Sequence, residues 1–354
     1  MDIIELLTLT NQKIASDLHI SVGVPPIMRI YGKLTRIGEK KLQPEDTLEM
    51  VKQLLSEKQW HRLEKKGELD FSISRTGLGR FRINAYRQRG SYGLAIRALA
   101  VRIPSMEELK LPMILKDLAM KQRGLILVTG PTGSGKSTTL ASVIDYINMQ
   151  RSCHILTLED PIEYLHRHNL SMVNQREMGH DSNDFANALR AALRQDPDVI
   201  LVGEMRDLET IAIAVTAAET GHLVLSTLHT VGAAKTIDRV IDVFPPHQQQ
   251  QIRVQLASEL EGVISQQLLP TADGVGRVAA FEVMTATPAI RNLIRENKTH
   301  QIQSVIQTGT KFGMKTMDSS LIELYKNGIV TQEMALDYSV DREYMEKTIG
   351  SSFY

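Results

Sequence analysis

The chain has 354 residues, 42% of them hydrophobic and 23% charged, which is ordinary globular composition at a length for about two domains of roughly 150 residues. Lys plus Arg and Asp plus Glu each number 41; zero net charge argues against a surface that is one electrostatic footprint for nucleic acid or acidic membrane, though not against a local basic patch. The single cysteine, Cys153, excludes an intramolecular disulfide and a multi-cysteine zinc site, and fits a reducing compartment.

The N-terminus, with Asp2 and Glu5 among its first residues, carries acids where a secretory signal carries bases. Apolar spacing at Ile3, Ile4, Leu7, Ile14 and Leu18 predicts a helix over 2–18, and a second helix is predicted over about 44–64. Period-two alternation then begins. Leu69, Phe71 and Ile73 form one set, Phe81, Ile83 and Ala85 a second, and Tyr92, Leu94 and Ile96 a third. These are half-buried strands broken by turns at 77–79 and Gly90, so residues 1–100 read as a small α+β domain.

Residues 101–112, with Pro104 and Pro112 around Glu107 and Glu108, read as a linker. Beyond it, apolar runs of strand length at 125–129, 155–158, 199–202 and 223–226 alternate with helices predicted over 184–195, 207–220 and 248–263. Gly221 suits a C′ position, and the glutamines 248–251 read as the solvated start of the last of these helices. Continuous apolar strands between helices indicate an α/β fold with a parallel sheet covered on both faces. From about residue 288 the chain reads as further helices. No apolar run approaches the roughly 18 residues that a bilayer requires. The expectation is a cytoplasmic protein with no transmembrane segment, brought to a membrane only by partners.

The most specific motif is Gly130-Pro-Thr132-Gly133-Ser134-Gly135-Lys136-Ser137, followed by Thr138, which fits G-x-x-x-x-G-K-[ST] between a strand and a helix. Glycines let successive N–H groups converge on phosphate oxygens, Lys136 can reach the β- and γ-phosphates, and the Ser137 hydroxyl can ligate Mg²⁺. ATP and Mg²⁺ are therefore the expected ligands. Two acidic clusters end later strands: Glu159, Asp160 and Glu163, and then Glu204. In the second, Gly203 stands where the magnesium-linked Asp of such strands is usual. Either Glu204 serves the metal or that duty passes to the first cluster; a plain capping role for these carboxylates is the bland alternative. His222 and His229 bracket another apolar strand, as structural hydrogen-bonders or as members of the same site.

In this order, the segments around 130–137, 155–164, 199–204 and 221–229 resemble the secretion-ATPase superfamily, whose members drive type II secretion, type IV pili and related machines. The second segment looks like that family's Asp box and the fourth like its His box. Ala289-Ile-Arg-Asn-Leu-Ile-Arg-Glu296 is similar to a signature of the pilus retraction motors within the family, although Ile290, Leu293 and Ile294 also fit an ordinary amphipathic helix. The resemblance implies that Glu163 is the catalytic base, that Glu204 is an atypical acid acting on magnesium, and that His229 senses the γ-phosphate. It implies a PAS-like N-terminal domain joined to a RecA-like ATPase domain over 113–354, assembled as a homo-hexamer. It also implies a mechanical substrate: an inner-membrane platform protein through which pilin subunits are drawn from the fibre.

If Arg89-Gly90 is a two-residue hairpin turn, Arg82 falls opposite Arg97 on the solvent side of the two strands. Like charges directly opposite are destabilising unless an anion lies between them. The pair therefore binds phosphate or forms a solvated basic face. The resemblance favours the first, as contacts made to the nucleotide of a neighbouring subunit.

Two other functions compete with a retraction ATPase. A nucleic-acid translocase is disfavoured by zero net charge, a single Trp and 5% aromatics. A non-hydrolysing nucleotide switch is kept open by the missing acid at Gly203. Among pilus motors, extension relatives carry a tetracysteine zinc site after the His box; residues 231–269 contain no cysteine, which points to retraction.

Overall fold

The computed structural model describes residues 2–30, 32–75, 78–99 and 102–350. It divides into two compact units, Met1–Arg102 with Glu163–Leu165, and Ile103–Ile162 with His166–Tyr354. The division falls at the start of the expected linker, and Met106 and Leu111 of that segment are buried in the core of the second unit. Val101 of the linker and Gly77 of the expected turn lie outside the described residues.

In the first unit, α1 (Ile3–Gln12) precedes β1 (Asp17–Ile20), β2 (Ile27–Ile30) and β3 (Lys33–Arg36). Then come α2 (Pro44–Leu54), α3 (Glu57–Lys66), β4 (Glu68–Arg75), β5 (Gly79–Gln88) and β6 (Ser91–Ala98). The six strands form an antiparallel sheet in the order β3-β2-β1-β6-β5-β4. Phe81, Ile83, Ala85, Leu94 and Ile96 alternate onto the buried face, where they pack with Leu6, Val51 and Leu63 of the helices. The helix expected over 2–18 stops at Gln12; Ile14 turns outward at φ 51 and Leu18 belongs to β1. Helical spacing at Ile14 and Leu18 had merged a helix with the strand after it. The helix expected over 44–64 is two helices, because Ser56 and Gln59 form a capping box that starts α3.

In the second unit, α4 (Ile114–Ala119), β7 (Gly124–Thr129) and α5 (Lys136–Gln150) lead to β8 (His154–Glu159), β9 (Met172–Glu177) and α6 (Phe185–Ala192). β10 (Val199–Val202), α7 (Leu208–Glu219), β11 (Leu223–Leu228), α8 (Ala233–Asp242) and α9 (Pro246–Glu259) follow. The hairpin β12 (Leu260–Pro270) and β13 (Arg277–Thr285) comes next, and then α10 (Pro288–Arg295), α11 (Ile302–Thr308), α12 (Met317–Lys326), α13 (Gln332–Asp337) and α14 (Arg342–Gly350). The sheet order is β13-β12-β7-β11-β10-β8-β9, parallel throughout except for β12 with β13.

β7 is apolar at successive positions because its residues feed two cores. Leu125 and Leu127 join the cluster under α7 and α9, while Ile126 and Val128 join the one under α4 and α5. Each such side chain is worth about 1.5–3 kcal/mol when fully buried. The helix expected over 248–263 ends at Glu259, and Leu260 and Val263 belong to β12. Their spacing from Leu256 fits a helix, but the backbone turns extended at Leu260. The hairpin β12–β13 was not expected. Helices α12 to α14 pack around Leu269 and Ala280 of that hairpin. Among the described residues no helix is long and apolar enough to cross a membrane.

Candidate functional site

The parallel register brings four strand ends into line. Thr129 of β7 pairs with Leu228 of β11, Ser226 of β11 with Val202 of β10, and Val202 with Leu158 of β8. The segments after those strands leave the sheet at one carboxyl edge, where open α/β sheets hold ligands. Those segments carry Gly130 to Lys136, His229, Glu204 and Asp160, and Glu159 is the last residue of β8.

The 130–135 loop runs into α5, with Gly135 as N-cap at φ 92. Gly130, at φ 141, has no room for a side chain: a Cβ there would lie 2.1 Å from the Gln266 carbonyl oxygen. Lys136 is buried, and its ammonium donates to the carbonyls of Gly130 (2.8 Å) and Pro131 (3.0 Å). Ser137 is exposed and Thr138 half-buried in the first turn of α5. Ser134 Oγ is buried and has no hydrogen-bond partner among the described residues. A buried ammonium resting on loop carbonyls, an orphaned hydroxyl and a helix N-terminus in one loop fit a polyphosphate.

Lys136 connects to the acidic strand end through His229. His229 Nδ1 lies 3.5 Å from both Lys136 Nζ and Thr132 Oγ1, and Nε2 lies 3.0 Å from Glu204 Oε1. A proton on Nε2 lets the ring accept at Nδ1 and donate to the carboxylate. Arg206 Nε lies 2.6 Å from the same Glu204 oxygen. Burial pushes the Glu204 carboxyl up, but the Arg206 hydrogen bond, the nearby His229 ring and the charges of Arg206 and Lys136 outweigh it and hold the group below the usual glutamate value. Arg206 is raised in turn, chiefly by Glu204, with Asp160 adding a more distant negative charge.

Gly203 has a steric reason for replacing an acid. A Cβ there would lie 3.0 Å from the Leu158 carbonyl oxygen and 3.3 Å from Glu159 Cα. The Gly203 N–H donates to that same carbonyl at 2.7 Å, and Thr227 Oγ1 donates to the Gly203 carbonyl at 2.6 Å.

Glu159 Oε1 accepts from Thr157 Oγ1 (2.6 Å) and Gln175 Nε2 (3.1 Å). Gln175 Oε1 also accepts from the His166 N–H (2.8 Å), and Glu177 Oε2 accepts from the Ile162 N–H (3.0 Å). The chain on both sides of Glu163 is therefore pinned to β9. Glu163 itself groups with the smaller unit, whereas the Lys136–His229–Glu204 line lies wholly in the larger one.

The structure corrects the placement of His222. His222 and His229 bracket β11, so the two histidines lie at opposite ends of that strand, about 23 Å apart at roughly 3.3 Å per strand residue. His222 Nδ1 is 2.9 Å from the Ala217 carbonyl oxygen and serves the α7–β11 connection instead of the nucleotide edge.

In the smaller unit Arg82 pairs with Arg97 across β5 and β6, and Gln88 pairs with Ser91 around a turn where Arg89 and Gly90 both have positive φ. The anion that relieves Arg97 is supplied by the protein. Asp17 of β1, also opposite Arg97, places Oδ1 3.0 Å from its Nε and Oδ2 3.8 Å from Arg29 Nε. Arg82 is exposed and has no ion pair among the described residues.

Arg206, Gln175, Glu177 and Gln266 are not among the residues that the sequence pattern marks. Arg206 stands two residues after Glu204, a spacing that offered a signal. Gln175, Glu177 and Gln266 lie on strands that were not expected, so nothing marked them as inward-pointing.

Comparison with known proteins gives a consistent set of relatives. The model of a family described as Type II/IV secretion system protein matches residues 10–275. The "Type IV pilus retractation ATPase PilT" of Pseudomonas aeruginosa is 50% identical over 335 residues, covering 95% of this chain and 97% of that protein. A twitching motility protein of Neisseria gonorrhoeae is 50% identical over 320 residues, covering 90% of this chain and 86% of that protein. A crystal structure of the pilus retraction motor PilT with bound ADP superposes with a TM-score of 0.93 at 50% identity, covering 98% of this chain and 99% of that one.

Proposed function

Because the chain belongs to the Type II/IV secretion system protein family, we propose that it is an ATP-hydrolysing motor that powers type IV pilus retraction and twitching motility. The observation that carries this reading is the line Lys136–His229–Glu204–Arg206 at the carboxyl edge of the sheet, beside a phosphate-binding loop.

When bound, ATP supplies the γ-phosphoryl group and Mg²⁺ the positive charge that its oxygens need. The residues of this chain do the rest. The loop N–H groups and the N-terminus of α5 hold the phosphates, and Lys136 exchanges its two carbonyl partners for phosphate oxygens. Ser137 and Glu204 offer a hydroxyl and an ionised carboxylate, hard donors suited to Mg²⁺, which keeps several waters and needs few protein groups. Among the described residues no group of three or more His, Cys, Asp or Glu is arranged to hold a metal, so this two-donor set is the candidate. His229 connects Lys136 to Glu204 and is suited to register the terminal phosphate. Glu163 takes the proton of the attacking water, and Glu159 and Asp160 shape the carboxyl edge of the larger unit.

Arg82 and Arg97 act on the nucleotide of a neighbouring subunit in a homo-hexamer of PAS-like and RecA-like domains. The motor works at the cytoplasmic side of an inner-membrane platform protein and reaches pilin only through it. Retraction is favoured over extension by the cysteine-free stretch 231–269 and by the motif 289–296.

The test is steady-state ATP hydrolysis by the purified protein with Lys136→Ala as control. Turnover that falls to background in the variant supports the reading; equal rates in both proteins overturn it. Turnover that depends on DNA and collapses with salt would instead indicate a translocase.

A further inference from the structure

We infer that Gln266 is a positioning residue of the nucleotide site: its side-chain amide orients the Ser134–Gly135 peptide so that the Gly135 N–H points to the phosphates. The inference rests on the proposed nucleotide site and adds to it a residue from β12, outside the phosphate-loop motif.

Gln266 follows Ser265, the β12 residue paired with Thr129 at the end of β7, so its side chain stands directly beside the loop. The residue is 3% exposed. Both ends of the amide are engaged. Oε1 accepts from Thr139 Oγ1 at 2.8 Å, and Nε2 donates to the Ser134 carbonyl oxygen at 2.6 Å. A carbonyl oxygen can only accept, so the nitrogen end of the amide must meet Ser134.

A trans peptide is planar, with its C=O and N–H pointing in opposite directions. Holding the Ser134 oxygen toward β12 therefore turns the Gly135 N–H away from β12, into the concave side of the loop. That N–H has no hydrogen-bond partner among the described residues. The same glutamine explains why glycine ends the loop on both sides. A Cβ on Gly135 would lie 2.8 Å from Gln266 Nε2, and one on Gly130 would lie 2.1 Å from the Gln266 carbonyl oxygen. An apolar side chain would fill this buried place without a polar desolvation cost. What it could not do is hold the peptide in one of its two orientations.

The experiment compares wild type with Gln266→Met, which keeps the length of the side chain and removes both polar ends. ADP affinity, KM and kcat for ATP, and the nucleotide-free melting temperature are measured on each. Leaving a buried carbonyl unsatisfied predicts ADP binding roughly tenfold to hundredfold weaker, with KM for ATP rising in parallel and kcat changing less. An ADP affinity within twofold of wild type, whatever the melting temperature, overturns the inference. If Gln266→Met does not fold, Thr139→Val frees the other end of the amide and is expected to weaken ADP roughly threefold to tenfold; unchanged affinity there overturns the inference equally. Absence of ADP binding by the wild type would sink the nucleotide site itself, a distinct result.

Discussion

Glu204 Oε1 lies 3.0 Å from His229 Nε2, across the ends of two adjacent parallel strands. The other ring nitrogen of His229 lies 3.5 Å from Lys136 Nζ. One imidazole thus connects the phosphate-loop lysine to the acid proposed to act on magnesium. His229→Ala removes that connection while leaving the loop N–H groups in place. The expected result is a kcat lower by roughly 10²-fold, the scale of losing one positioned polar group in an active site, with ADP affinity little changed. Wild-type kcat in the variant would remove His229 from the chemistry.

Arg82 and Arg97 are expected to differ in stability and agree in activity. Both substitutions to Ala should slow ATP turnover by up to roughly 10³-fold, the lower end of what arginine fingers supply elsewhere. Arg97→Ala also breaks the contact with Asp17, a surface pair worth about 0–1 kcal/mol, so its melting temperature should fall slightly while that of Arg82→Ala stays at the wild-type value. Turnover unchanged in both variants would leave the pair as a solvated basic face.

Restoring an acid at position 203 should not improve the enzyme. Gly203→Asp forces a Cβ to 3.0 Å from the Leu158 carbonyl oxygen and a carboxylate in beyond it. Overpacking of this kind costs about 1–3 kcal/mol, so thermal melting should show a less stable protein with no gain in turnover. A stable, faster variant would show that Glu204 does not replace the missing acid.

His166 supplies a pH dependence. Burial lowers its pKa from 6.5 to about 4, and its Nδ1 is buried with no hydrogen-bond partner among the described residues. The folded state therefore keeps the ring neutral where the unfolded chain binds a proton. Stability from this site is complete above pH 6.5 and is lost progressively as pH falls toward 4, by up to about 3 kcal/mol. Denaturant midpoints between pH 7 and 4.5 should fall less steeply in His166→Leu than in wild type. Parallel curves would show that His166 is not the group responsible.

The parallel-sheet architecture and the phosphate loop were legible because they rest on local signals: apolar runs such as 125–129 and glycines at fixed offsets. The opposition of Arg82 and Arg97 was legible from a turn of two residues, since hairpin register follows loop length. What was hidden lay in polar or irregular strands. Gln266 falls in a segment whose early residues also fit a helix, and Gln175 and Glu177 lie on edge strand β9, whose apolar signal is weak. His222 was misplaced for another reason. The sequence distance between it and His229 is one strand, and a strand holds the residues that bracket it at its opposite ends. The carboxylate that Arg97 needed came from β1, 80 residues earlier, which no local pattern reveals.

The most direct test of the account is deletion of the gene in a piliated host, scored for surface pili and for twitching. A retraction motor predicts abundant surface pili with twitching lost, restored by the wild-type protein and not by Glu204→Gln. Loss of surface pili on deletion would contradict it.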